Sequence, residues 1–183
     1  MNRRILIFIL ITCSLSQNIF GQDSALRKKI NLLSSVSNIP FDNCLLMDKD
    51  CGDDLIWEIA SYGKVAIKPL INKILDTTYS NFYFPLANGK SIRLRTGDIA
   101  YITLIQIIPF QDFPRRNEFD QHICGGYETD LYTYYLPNFS YRLEFQKKIK
   151  GAYTQQKLKW ITARKNELTP CEIEHGITGH YRE

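Results

Sequence analysis

The sequence predicts a mainly α-helical protein, with a compact helical core, one β-hairpin insertion and a loop-rich aromatic segment. Three observations predict it. Ile67, Leu70, Ile71 and Ile74 make one apolar face at helical spacing. The segment Ile99 to Ile108 is apolar on nearly every side and too long for an ordinary buried strand. Strand-like alternation shows on both sides of Asn88-Gly89, a dipeptide suited to a hairpin turn because both residues take positive φ.

Residues 1–21 read as a secretory signal peptide. Arg3 and Arg4 precede the uninterrupted apolar run from Ile5 to Ile11, and small residues near Ser16 or Gly21 suit cleavage. The run is too short for a membrane span, which needs about 20 apolar residues. A lipoprotein signal at Cys13 is the competing reading, but Thr12 is a poor residue before a lipidated cysteine. The expectation is export to a periplasmic or secreted location, with no stable membrane span after cleavage. Residues 22–168 then form the helical domain and 169–183 a polar C-terminal tail.

The first helix is expected from Ser24 to Val36, on Leu26, Ile30 and Leu33, and ends before Pro40. A second runs from Leu55 to Tyr62, with Asp53 or Asp54 as its cap, and Gly63 terminates it. The third begins near Lys68, because Pro69 is tolerated only in a first turn. With the second it makes an αα-hairpin. Phe82, Phe84 and Leu86 alternate before the turn, and Ile92 and Leu94 after it. Pro85 confines its strand to an edge. The apolar segment after Thr96-Gly97-Asp98 is read as a buried central helix, stopped by Pro109. The last long helix follows Pro137-Asn138, with Phe145, Ile149, Ala152 and Tyr153 inward and Lys147, Lys148 and Lys150 outward. Leu158, Trp160 and Ile161 are expected to dock against the body.

Gly63, Ala66-Ile67, Pro69-Leu70-Ile71 and Ile74-Leu75-Asp76 resemble the second helix of a HEAT-type repeat. Gly97-Asp98-Ile99-Ala100-Tyr101 with Leu104 is similar to the start of the next. Cys51-Gly52-Asp53 with Trp57, Cys124-Gly125-Gly126-Tyr127, and the helix from Phe145 to Trp160-Ile161 extend the likeness to a group of small exported bacterial proteins with no assigned activity. The resemblance implies a HEAT-like core and supplies no catalytic residues. A solenoid needs about three or more stacked repeats, and at most two are found.

Cleavage would leave about 160 residues, one domain of ordinary size. Losing Arg3 and Arg4 lowers the net charge from +4 to +2. No Lys/Arg run stands out, so nucleic acid is not an expected partner. Four cysteines remain, Cys44, Cys51, Cys124 and Cys171, an even number that suits two disulfides in an oxidising compartment. Three connectivities are possible. Proximity favours Cys44–Cys51, leaving Cys124–Cys171.

Asp48, Asp50, Asp53 and Asp54 suggest calcium, but an EF-hand counted from Asp48 would need Gly and Glu where Asp53 and Ile59 stand. A solvated turn capping a helix explains them better. His122 and Cys124 share one loop, and Cys171, His175 and His180 the tail, so these five could assemble a zinc site. Cys124 and Cys171 cannot ligate as thiolates while bridged. No catalytic motif or cofactor loop is found, and a Cys124–His122 nucleophile lacks an orienting third group. Tyr127, Tyr132, Tyr134 and Tyr135 are either a binding face or ordinary packing. The preferred expectation is an exported, non-enzymatic interaction domain that needs no cofactor and binds a protein or envelope component. The alternatives are a cell-envelope hydrolase or metal-dependent enzyme built on His122, His175 and His180, and an inhibitor or immunity-type protein.

Overall fold

The structure, a computed structural model, describes residues 24–42, 49–85, 90–108, 136–155 and 159–182. Helix α1 (24–31) passes into a 3-10 turn, Leu32–Ser35, and buries Leu26, Ile30 and Leu33 as their spacing requires. Helix α2 spans Asp54–Ala60 and α3 Lys64–Lys73. Gly63 joins them at a φ of 56°, a left-handed conformation that glycine adopts without steric cost. Helix α3 starts four residues before the expected Lys68, so Pro69 lies inside it and leaves one backbone bond unmade. Complete burial of Ala66 and Ile67 in that added turn opposes the loss.

Helix α4, Thr96–Ile107, is the centre of the molecule, buried from Thr96 through Leu104 and again at Ile107. Helices α2 and α3, the 3-10 turn and the hairpin β3 (Tyr79–Pro85) with β4 (Ser91–Arg95) all pack on it. Helix α5, Phe139–Gln155, lies against α3, and its Phe145 meets Tyr101 edge to face at 4.8 Å. Asn138 caps it, its Oδ1 accepting from the Ser140 amide at 2.9 Å. Ile71, Ile74, Ile102, Leu104 and Ile149 share one core. The mainly helical class therefore holds.

The sequence suggests one hairpin; among the described residues there are three two-stranded antiparallel sheets. Besides β3–β4, Phe41–Asp42 (β1) pairs with Lys49–Asp50 (β2), and Lys159–Thr162 (β5) pairs with Gly179–Arg182 (β6). The last pairing corrects one expectation: Trp160 and Ile161 are not docked but 44% and 42% exposed, while Leu158 lies outside the described residues. The polar tail folds as helix α6 at Pro170–Glu174 followed by β6. Thr169 and Glu172 form a reciprocal capping box at the start of α6, a signal legible as Thr-x-x-Glu.

Candidate binding site

Alternation along β3 and β4 sends Phe84 and Leu94 into the core and leaves Tyr79, Tyr83, Ser91 and Arg93 outside. Tyr79 pairs with Arg95 and Tyr83 with Arg93, with a register shift between the two tyrosines. Ser80 faces inward with Phe82 and Phe84, and its hydroxyl donates to Leu94 O at 3.0 Å. The Ser80 carbonyl accepts from Arg93 Nε at 2.6 Å. The Arg93 guanidinium is thus pinned between two rings, 5.7 Å from the centre of Tyr79 and 5.6 Å from that of Tyr83. Arg95 lies 5.8 Å from the Tyr79 ring and donates to Pro137 O at 3.0 Å. Together these residues line a groove of about 480 Å³ that reaches Asp98.

The groove is supported by a buried ion pair. Arg142 Nη2 donates to Asp98 Oδ1 at 2.6 Å, and neither side chain is more than 4% exposed. Arg142 also donates through Nη1 to Ile74 O and through Nε to Leu136 O, both at 2.8 Å. Asp98 Oδ2 accepts from the Arg95 amide at 2.7 Å, closing the start of α4. Burial pushes the Asp98 carboxyl up, against the opposing pull of Arg142 and that amide. Gly97 is required here, since a Cβ would stand 2.2 Å from Ile74 O and 2.5 Å from Arg142 Nη1. With Asp98 satisfied by Arg142, Arg93 and Arg95 have no ion-pair partner among the described residues, so the face is cationic.

A second cluster ties α6 to the chain before α2. Cys51 is disulfide-bonded to Cys171, 120 positions away. This corrects the expected pairing of Cys51 with Cys44 and of Cys171 with Cys124; Cys44 and Cys124 lie outside the described residues. The tail is held, but against the start of α2. Trp57 is buried beside the bridge, stacks on His175 with ring centres 5.3 Å apart, and donates from Nε1 to Cys51 O at 2.6 Å.

Of the five residues suggested for zinc, Cys171 is bridged, which removes it as a thiolate ligand. His175 faces Asp54, with Nε2 4.0 Å from Oδ1, while the buried His180 meets Glu172 at 3.3 Å. His122 and Cys124 lie outside the described residues, as do Tyr127, Tyr132, Tyr134 and Tyr135. Of the calcium candidates, Asp53 accepts from the Ser37 and Asn38 amides at 2.6 and 3.2 Å, so it staples the first helical segment to α2 instead of capping α2 by its side chain. Tyr79, Tyr83, Arg93 and Arg95 are absent from the sequence expectations. The period that marked Phe82 and Phe84 as inward also marks Tyr79, Tyr83 and Arg93 as outward.

No family model matches this chain, and neither a curated protein nor a solved structure is found to match it.

Proposed function

We propose that the chain is an exported interaction domain, without catalysis of its own, that holds an acidic segment of a protein partner on the Tyr79–Tyr83–Arg93–Arg95 face. One observation carries this reading. Two tyrosines, 56% and 55% exposed, flank two arginines that have no carboxylate partner among the described residues. Tyrosine and arginine dominate binding hot spots, and arginine receives carboxylates in a bidentate fork. The anchored guanidinium of Arg93 would lose little side-chain freedom on binding. The N-terminal signal pattern supports export, as does a disulfide between distant cysteines, which an oxidising compartment favours. Among the described residues no helix is long and apolar enough to cross a membrane.

The test is a photo-crosslinking residue placed at Tyr83 in the native host, with one at exposed Asn72 on α3 as reference. A discrete adduct is expected from position 83 alone. It should disappear in Arg93→Glu, while the melting temperature stays within about 2 °C. Equal adducts from both positions, or an adduct that survives Arg93→Glu, refute the assignment of this face. For export, the intact mass of the isolated protein should lack residues through Ser16 or Gly21. A soluble cytoplasmic form retaining Met1 refutes it.

A further inference from the structure

Helix α6 and its C-cap place Cys171, Glu174 and His175 at i, i+3 and i+4, on one side of a single turn. Cys51 is brought to the same side by its bond to Cys171. One ligand atom each from Cys51, Glu174 and His175 lies within 4.8 Å of the other two. The Glu174 Oε2 is 3.6 Å from the Cys51 sulfur. The His175 ring is held by the parallel stack on Trp57, and Asp54 Oδ1 stands 4.0 Å from its Nε2. One sulfur, one imidazole and one carboxylate are thus gathered, the second sulfur is bonded to the first, and the disulfide withholds both as thiolates.

We propose that the Cys51–Cys171 bridge closes a latent zinc site, formed on reduction by Cys51, Cys171, Glu174 and His175. A dithiol reductant delivers two electrons and two protons to the sulfur–sulfur bond and becomes a disulfide itself. Zinc then displaces the two thiol protons and binds both thiolates. With Zn–S near 2.3 Å and Zn–N or Zn–O near 2.0–2.1 Å, tetrahedral neighbours sit about 3.3–3.8 Å apart. The Cys51, Glu174 and His175 donors therefore close by about 1 Å, and the two freed sulfurs part to thiolate spacing, both within the reach of side-chain rotation. Thiolate and imidazole select zinc over calcium or magnesium. The site is independent of the proposed binding face, since it shares none of that face's residues.

Cobalt(II) tests it, because tetrahedral thiolate coordination gives intense visible bands and a sulfur-to-metal charge-transfer band. The full chain reduced with a phosphine, which takes its oxygen from water, should bind one cobalt per chain, and zinc should bleach the bands. The oxidised chain should show no bands and no change with chelator. Cys44→Ser/Cys124→Ser should retain the signal, Cys51→Ser/Cys171→Ser should lose it, and His175→Ala and Glu174→Ala should each weaken affinity by more than about tenfold. Circular dichroism reads folding in parallel. The proposal is overturned if the reduced chain gives no charge-transfer band, or if binding survives Cys51→Ser/Cys171→Ser. It is equally overturned if His175→Ala and Glu174→Ala leave affinity unchanged, or if reduction unfolds the helices and zinc fails to restore them.

Discussion

Replacing Arg142 by methionine tests how much of the fold hangs on one buried cation. Methionine keeps most of the length and the apolar stem. It leaves the carbonyls of Ile74 and Leu136 and one Asp98 oxygen without the donors that now lie at 2.6–2.8 Å. Breaking a buried ion pair costs about 3–5 kcal/mol, and each orphaned carbonyl adds about 1 kcal/mol before relaxation. Asp98 recovers part of this by taking up a proton, since burial already pushes its carboxyl up. The net expectation is about 4–5 kcal/mol, a large share of the usual 5–15 kcal/mol. Urea denaturation followed by far-ultraviolet circular dichroism measures it. At about 2 kcal/mol per molar urea, the midpoint should fall by about 2 M. Asp98→Asn should cost less, about 2–3 kcal/mol, because the amide oxygen still accepts and Arg142 keeps both carbonyls. The double variant should lose less than the sum of the two. A shift below about 0.5 M for Arg142→Met, or strict additivity, would refute the buried network.

Non-reducing peptide mapping should recover a fragment pair joining Cys51 and Cys171, and Cys171→Ser should cost about 4–5 kcal/mol on chain-entropy grounds; a Cys124–Cys171 fragment would overturn the assignment. Ile102→Asp places a carboxylate in the central core beside α3 and should abolish cooperative melting, whereas a wild-type melt would remove Ile102 from the core. Asp76 supplies a pH signature. Burial pushes its carboxyl up, but hydrogen bonds from Lys73 and Thr78 outweigh that and hold it below the usual carboxylate range. A lowered folded value stabilises the protein above the unfolded value of about 3.9 and loses that contribution as pH falls through the folded one. The stability gap between wild type and Asp76→Ala should therefore be full at about pH 6 and shrink below about pH 4; a gap that widens in acid would contradict the sign.

By itself the sequence determined what depends on near neighbours. The spacing of Leu26, Ile30 and Leu33, the unbroken apolarity of α4 and the alternation around Asn88-Gly89 each mark an element, because a helix or strand must bury one face and its period shows which. Tertiary structure decided what depends on distant partners. Arg142 stands in α5 among ordinary surface-type residues, and nothing within its own helix reveals that Ile74, Leu136 and Asp98 converge on it. Proximity along the chain suggested Cys51 with Cys44. A disulfide, however, forms between sulfurs that the fold brings together, and the stack of Trp57 on His175 sets α6 against the start of α2. The exposed Trp160 reads as core from hydropathy alone. In the structure every residue of β5 is exposed, because what a strand buries is fixed by the body it packs against and not by its own sequence.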